Sequence, residues 1–264
     1  MTFVVVVAQI DISVGSMFAI CGVCGGLFVK HGLAAGLLPV AGIVLGALLG
    51  ATNGALISFV RAPSIVVTLA TMVAWRQALS WGTGGAWVED LPANFQWFGF
   101  GQSSGELVLF GLTSLVFVSL YWASDHIAAF RAIYATGSDS EAARLAGIHP
   151  RTVVFAVFML LGALTGLAAS LNAVRFSDVP ANAGLGLELQ AIAAVVVGGT
   201  PITGGRGGLM GTLIGVALLG SIGPALTFLG LSPYWERAIQ GGVILMTVFF
   251  DAVAASSEKR VATA

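Results

Sequence analysis

The sequence predicts an all-α, polytopic membrane protein, a helical bundle of about eight spans. Of its 264 residues, 57% are hydrophobic and only 9% are charged, which is far too apolar for an ordinary soluble domain. The apolar residues also fall into long runs separated by polar connections. Because lipid offers backbone N–H and C=O groups no hydrogen-bonding partner, runs of this kind cross a membrane as α-helices.

Most of the apolar runs are long enough to span a membrane, which takes about 20 helical residues. In chain order they cover residues 3–29, 33–60, 63–82, 106–124, 152–172, 186–199, 208–229 and 238–255. The run 186–199 is short, so we expect a partly re-entrant helix there. We expect one transmembrane domain, residues 1–255, followed by a C-terminal tail, residues 256–264.

Several polar side chains interrupt the apolar runs. An acidic group at the bilayer centre costs about 2.5–3.5 kcal/mol on insertion scales, so it should face protein or water. Asp11, followed by Ser13, predicts a broken helix in the first run, and broken helices line substrate paths in transporters. The polar groups either line a hydrated path or join helices by hydrogen bonds, and the sequence leaves both alternatives open. The candidate path residues are Asp11, Ser13, Asn53, Thr68, Glu188 and Gln190.

Glycine recurs every fourth residue in the second run, which makes one helix face smooth enough for a neighbouring backbone to approach closely. The four residues are Gly42, Gly46, Gly50 and Gly54. Two later glycine pairs, at 162/166 and 211/215, repeat this spacing. We therefore expect tight helix packing at these positions.

Basic residues flank the spans mainly on one side of the predicted topology. They are Arg61, Arg131, Arg144, Arg151, Arg206, Lys259 and Arg260, whereas the loop 82–105 has none. Arg175 and Arg237 are exceptions on the other side. The positive-inside rule makes the basic side cytoplasmic, so we expect the loop 125–151 and the C-terminus to be cytoplasmic.

The loop 125–151 contains the signals of a separate short helix, residues 139–146. Ser138 and Glu141 have the spacing of a capping box, in which each side chain bonds a backbone N–H of the first turn. Gly147 suits the left-handed conformation that ends a helix, and Pro150 prevents the helix from resuming. A helix this short is marginal alone in water, so we expect it to dock against another surface.

Motifs of catalysis and cofactor binding are missing. The chain has no Walker A phosphate loop, nucleophile elbow or zinc-protease signature, so we expect no enzyme, no ATP hydrolysis and no metal or cofactor in this chain. A net charge of -1 argues against a nucleic-acid partner. Cys21 and Cys24 form an isolated C-x-x-C inside an apolar run, and we interpret them as structural.

Five ordered stretches resemble the permease subunits of ATP-binding-cassette importers for sugars of the ribose, xylose and rhamnose type, in the branched-chain-amino-acid/ribose permease superfamily. They are DISVGS (11–16), NGALISFVRAPSIVVTLATM (53–72), YATGSDSEAARLAGI (134–148), ELQAIAAVVVGGTPITGGRGG (188–208) and GTLIGVALLG (211–220). The third stretch contains the EAA sequence of such permeases. The family usually has leucine in place of Ile12, often an acid in place of Gln190, and a further N-terminal span that we do not find here.

The resemblance implies a multi-pass permease of the bacterial inner membrane that carries a monosaccharide. It implies three kinds of partner: cassette ATPase subunits that bind ATP and Mg, a second permease subunit, and a periplasmic sugar-binding protein. The EAA segment would be the coupling helix that inserts into a cleft on the ATPase. The coupling residues would be Ser138, Asp139, Glu141, Ala142, Ala143, Ala146 and Gly147.

Three questions stay open at this level. The sugar is not fixed, since a pentose, a deoxyhexose and a sugar-like signalling molecule all fit. The second permease subunit is either identical or merely related. An ion-coupled secondary transporter of a small polar solute, with Asp11 or Glu188 as the coupling site, is the alternative function.

Overall fold

The computed structural model describes residues 1–232, 235–236, 238–243, 245–246 and 249. Within them the protein is helical and has no β-strand, which confirms the predicted all-α class. The helices are α1 (Thr2–Val6), α2 (Val14–Lys30), α3 (Leu38–Ser58), α4 (Ser64–Thr83), α5 (Gln102–His126), α6 (Ala128–Ser138), α7 (Ser140–Leu145), α8 (Pro150–Ala173), α9 (Leu187–Val197) and α10 (Leu209–Phe228). Short 3₁₀ turns cover Ala35–Leu37 and Gln96–Gly99.

The predicted last run, residues 238–255, lies only partly within the described residues. The tail 256–264, with Lys259 and Arg260, lies outside them, and so does Arg237.

Four helices of the described chain are long and apolar enough to cross a membrane. They are Ala35–Ser58, which joins a 3₁₀ turn to α3, and α5, α8 and α10. The apolar helices α2 and α9 are shorter, at 17 and 11 residues, and α4 carries Arg76 and Gln77 within its 20 residues. The count of eight spans and the re-entrant helix at 186–199 are therefore not confirmed.

The glycine face of α3 lies directly against α8. A Cβ atom built at Gly46 would collide with the carbonyl oxygen of Gly162, and one built at Gly42 would lie 2.5 Å from the carbonyl oxygen of Gly166. Reciprocally, a Cβ atom at Gly166 would collide with the carbonyl oxygen of Gly42. The two helices touch backbone to backbone, which only glycine allows.

The opposite face of α3 carries its large apolar side chains. Val40, Val44 and Leu48 are 58%, 55% and 60% exposed, although a soluble protein would bury such residues. Small residues inside and large apolar residues outside are the expected arrangement for a helix whose solvent is lipid. Helix α5 is more peripheral still, since only Gly105 and Ala123 are buried along its 25 residues.

The first apolar run is interrupted between α1 and α2. Helix α1 ends at Val6, Ala8 has a φ of 57°, and α2 begins only at Val14. Both short helices are surrounded by protein, because every residue of α1 is buried and α2 packs against α3, α4 and α8. The break thus begins at the surface, where Ala8 is exposed, and leads inward to the buried Asp11 and Ser13.

At the opposite end of α2, two long connections close over the bundle. Val88 and Val179 exchange backbone hydrogen bonds of 3.0 Å in an isolated bridge, and the N–H of Trp97 donates to the carbonyl of Val174 over 2.7 Å. Lys30 Nζ donates to the carbonyl of Glu89 over 2.8 Å. The three backbone bonds hold the segment 84–101 against the segment 174–186, and the Lys30 bond ties the first of these segments to the end of α2.

A side chain at Gly46 should loosen the contact between α3 and α8. We expect Gly46→Val to destabilise the protein by about 1–3 kcal/mol, because the colliding atoms belong to a backbone that cannot rotate away. The thermal midpoint of the purified protein in detergent measures this loss. Gly111→Val in α5 is the matched control, since a Cβ atom there meets no other atom within 4 Å. Equal midpoints for the two variants would contradict the packing argument.

Candidate functional site

Helix α7 begins at an aspartate cap. Asp139 has extended φ and ψ of −156° and 107°, and its Oδ1 accepts the N–H groups of Glu141 and Ala142 over 2.9 and 3.0 Å. This is the geometry of an N-cap, in which a short acidic side chain satisfies the free N–H groups of the first turn.

The predicted capping box of Ser138 and Glu141 is wrong. Ser138 is the last residue of α6, so its backbone is still helical and its side chain makes no cap. Glu141 instead binds Arg144 in an ion pair, with Arg144 Nε donating to Glu141 Oε2 over 3.0 Å. This carboxylate raises the pKa of the Arg144 guanidinium. Asp139 is the N-cap because the residues before it belong to α6, a helix that the sequence analysis missed.

The C-terminal end of α7 is closed by Gly147. The N–H of Gly147 bonds to the carbonyl of Arg144 and the N–H of Ile148 bonds to the carbonyl of Ala143, both over 3.0 Å. Gly147 has a φ of 83°, the left-handed conformation that this C-cap needs. The helix Ser140–Leu145 is thus capped at both ends and stands as a separate unit.

One side of α7 packs inward and the other is open. Ala143 is only 4% exposed, whereas Leu145 is 78% exposed. Ala142 and Ala146 are exposed beside Leu145. The open side of α7 therefore combines two alanines and one large apolar side chain with the exposed ion pair of Glu141 and Arg144.

Helix α6 is the element that the sequence analysis did not find. Its apolar residues Phe130, Ile133 and Tyr134 follow helical spacing, and this was the available signal. Ile133 is 5% exposed, and the rings of Phe130 and Phe3 meet edge to face at 5.1 Å. Helix α6 thus holds the start of α7 against α1.

The junction between α6 and α7 contacts the end of α1 through backbone atoms. A Cβ atom at Gly137 would collide with the carbonyl oxygen of Val6 and lie 2.9 Å from the backbone nitrogen of Gly205. The N–H of Gly205 donates to the same Val6 carbonyl over 2.8 Å. The glycine-rich loop 198–208, the α6–α7 junction and the end of α1 therefore meet at one carbonyl group.

A polar cluster lies at the inner end of the break between α1 and α2. Asp11, Ser13 and Asn53 have no exposed surface. Asp11 Oδ1 accepts the N–H and the hydroxyl of Ser13 over 2.7 and 2.6 Å, and Asn53 Nδ2 donates to Ser13 Oγ over 2.8 Å. Thr68, also fully buried, donates to the Ser64 carbonyl over 2.8 Å and lies 3.4 Å from the Ile10 carbonyl.

Two oxygens of the polar cluster have no hydrogen-bond partner. They are Asp11 Oδ2 and Asn53 Oδ1, both fully buried. Four candidate path residues thus lie together at the helix break, closed off from solvent and partly unsatisfied. In this conformation the hydrogen bonds join α2, α3 and the break. Of the two alternatives for these polar residues, a hydrated path or hydrogen bonds between helices, this conformation displays the second.

The remaining two candidate path residues lie apart from the cluster. Glu188, near the start of α9, is half-buried and its carboxylate packs against Gly15 of α2. Arg76 lies near Glu188 and donates from Nη1 to the Ala183 carbonyl over 2.9 Å. Gln190 is exposed on the surface of α9.

No group of three or more His, Cys, Asp or Glu side chains that could hold a metal occurs among the residues described. Helix α7 follows the end of α6, where Gly137 contacts Val6 at the end of α1. The chain leads from Val6 to the polar cluster at Asp11 and Ser13.

Comparisons with known proteins place the chain among transport permeases. The profile of the family described as "Branched-chain amino acid transport system / permease component" matches residues 1–248. The chain is 35% identical to the ribose import permease protein RbsC of Escherichia coli K12 over 255 residues, which are 95% of this chain and 79% of that protein. It is 33% identical to the autoinducer 2 import system permease protein LsrC of Escherichia coli K12 / DH10B over 250 residues, 95% of this chain and 73% of that protein. No solved structure matches the chain.

These similarities confirm the resemblance to sugar-importer permeases and the prediction that the chain is not an enzyme, since the relatives are transport permeases. Together with its apolar helices, they make the chain a multi-pass membrane protein. One of these relatives is a ribose import permease protein.

The cap of α7 can be tested directly. We expect Asp139→Ala to destabilise this helix by about 0.5–2 kcal/mol, seen as faster hydrogen exchange at the amides of Glu141 and Ala142. Ser138→Ala should leave the exchange unchanged, because the Ser138 side chain accepts neither amide. A larger increase in hydrogen exchange for Ser138→Ala than for Asp139→Ala would contradict the aspartate cap and favour the capping box of Ser138 and Glu141.

Proposed function

The chain belongs to the family of branched-chain amino acid transport system permease components, and we propose that it is the membrane permease subunit of an ATP-binding-cassette importer for a ribose-like monosaccharide. The observation that carries this proposal is the 35% identity to a ribose import permease over 95% of the chain. The similarity to an autoinducer 2 permease widens the range to small sugar-like solutes.

In the proposed assembly, partner proteins bind ATP, complete the translocation path and deliver the sugar. Cassette ATPase subunits bind ATP and Mg and dock on α7, a second permease subunit completes the translocation path, and a periplasmic binding protein delivers the sugar. The sequence contains no nucleotide-binding motif, which supports the binding of ATP by a partner subunit.

We place α7 on the cytoplasmic side of the inner membrane. Arg61 and Arg151 line one cavity together with Asp139, the cap of α7, and Arg206 follows Gly205, which contacts the α6–α7 junction. Basic residues from separate connections thus gather at the same end of the bundle as α7. By the positive-inside rule, this end faces the cytoplasm.

Helix α7 has the features of a coupling helix. Its caps hold it as a unit that can move without unravelling, and the small side chains of Ala142 and Ala146 let a partner surface approach closely. The exposed Leu145 supplies the apolar anchor, since a large side chain that fills a partner's pocket carries much of the binding energy of an interface.

Force from the ATPase would reach the helix break through Gly137. Because a backbone contact joins Gly137, Gly205 and Val6, a displacement of α7 pushes on the end of α1 without first compressing a side chain. The residues that follow Val6 lead directly to Asp11 and Ser13. Movement of the break would separate the hydrogen-bonded cluster and expose its polar groups to the sugar, so the same residues seal the path in one state and line it in another.

Reconstitution tests the proposed function. The chain, purified with its ATPase and placed in vesicles with the binding protein, should take up labelled ribose only when ATP and Mg are supplied on the ATPase side. Vesicles that contain the chain alone should show no uptake, with or without an ion gradient. Uptake driven by a proton or sodium gradient in those vesicles would support the secondary transporter instead.

The coupling role of α7 can be tested at its open side. We expect Ala142→Glu to reduce ATP-dependent uptake at least tenfold, because a long charged side chain blocks close docking, while the amount of protein in the membrane stays unchanged. Ala128→Glu, at the exposed start of α6, is the control for an added acid and should transport normally. Undiminished uptake by Ala142→Glu would count against the docking surface.

A further inference from the structure

A cavity of about 620 Å³ lies beside the start of α7. Its walls come from the ends of α1 and α3, the turn after α3, the α6–α7 junction and the first turn of α8. This volume lies within the roughly 300–1,000 Å³ of small-molecule sites. The cavity adjoins α7 at Asp139 and Ser140, whereas Ala142, Leu145 and Ala146, the open side of α7, do not line it.

Two arginines give the cavity its charge. Arg61 and Arg151 line it from different segments, and neither takes part in an ion pair within the described part of the chain. Asp139 is the one carboxylate among the lining residues, and its Oδ1 is already bound to two backbone N–H groups. The lining residues therefore carry a net positive charge with two free guanidinium groups.

Two hydroxyl groups in the wall also lack partners. Ser58 and Thr136 are 4% and 6% exposed and line the cavity, yet Ser58 Oγ and Thr136 Oγ1 make no hydrogen bond. Buried hydroxyls elsewhere in the helices bond to the carbonyl one turn earlier, as those of Thr165 and Ser170 do. An unsatisfied buried hydroxyl is destabilising, and a polar ligand within reach of a side-chain rotation would remove that cost.

The start of α8 also borders the cavity. Pro150 is its first residue and has no N–H, the preceding His149 makes no side-chain cap, and the N–H of Val153 already donates to the His149 carbonyl over 3.1 Å. Of this first turn, Arg151 lines the cavity, and the helix dipole favours an anion near it. Guanidinium and hydroxyl donors thus line the cavity at a helix end that favours negative charge.

We propose that this cavity binds a phosphate group, a role beyond the proposed transport function. Guanidinium groups bind phosphate through paired, charge-assisted hydrogen bonds. The N–H donors of Arg61 and Arg151 outnumber the hydrogen bonds that the carboxylate of Asp139 can accept. The phosphate belongs either to a soluble phosphate monoester or to the headgroup of an anionic lipid. Both sources present the same charged oxygens to the same residues.

Two binding measurements on the full chain, without its ATPase, distinguish the sources. In the first, inorganic phosphate is titrated calorimetrically into the chain in phosphatidylcholine nanodiscs, with chloride of equal ionic strength as the blank. In the second, the chain is reconstituted from a mixture of phosphatidylglycerol and phosphatidylcholine, and the lipid retained after delipidation is identified by mass spectrometry. Saturable phosphate binding indicates a soluble ester, and retained phosphatidylglycerol indicates a lipid.

Three variants and a control tie the signal to this cavity. Arg61→Gln and Arg151→Gln should each weaken binding about tenfold or more, because each removes charge-assisted hydrogen bonds. Thr136→Val should weaken binding severalfold and raise the thermal midpoint of the ligand-free protein, because it removes an unsatisfied hydroxyl. Arg175→Gln, beyond the other end of α8, should bind as the unaltered protein does.

The proposal is overturned by any one of three results. The first is the absence of both phosphate binding and retained phosphatidylglycerol in the unaltered chain. The second is equal binding by the unaltered chain and the Arg61→Gln/Arg151→Gln double variant. The third is an equal loss of binding in that double variant and in Arg175→Gln. Since no ATPase or sugar enters these measurements, each result leaves the proposed transport function untouched.

Discussion

Close contact between backbones, made where side chains are missing, is the constraint on which this structure depends. Lipid removes most of the hydrophobic driving force between helices, so association rests on van der Waals packing and hydrogen bonds. Gly46 against Gly162, Gly211 against Gly198 and Gly137 against Val6 all satisfy this requirement in the same way. At each position a Cβ atom would collide with a carbonyl oxygen, so one added methyl group would have to push two segments apart.

The proposed coupling rests on the same constraint. Packed interiors deform little, so in that proposal a displacement at the α6–α7 junction would pass to Val6 and to the helix break beyond it. The break is held by hydrogen bonds between Ser13, Asp11 and Asn53, while Asp11 Oδ2 and Asn53 Oδ1 have no partner in this conformation. A contact between backbones and a partly unsatisfied polar cluster thus lie close together along the chain.

Parts of the fold and of the candidate site followed from sequence because their signals are local. The glycine spacing of α3, the left-handed Gly147 and the interruption at Asp11 each depend on neighbours within one or two helical turns. Other predictions failed where a neighbouring element intervened. Ser138 has the spacing of a cap, but α6 extends through it and Asp139 takes the role. Gln190 is exposed on α9 apart from the polar cluster, and its place on a translocation path stays a prediction.

The sequence by itself determined that this chain is an all-helical membrane protein, that one glycine face packs closely and that a separate short helix lies within residues 139–146. Only the tertiary structure decided that α8 receives that glycine face, that Val6 meets Gly137 and Gly205, and that Arg61 and Arg151 share a cavity. The reason is physical. Spacing along a helix fixes which face a residue occupies, whereas the partner of that face is chosen by contacts between segments far apart in the chain.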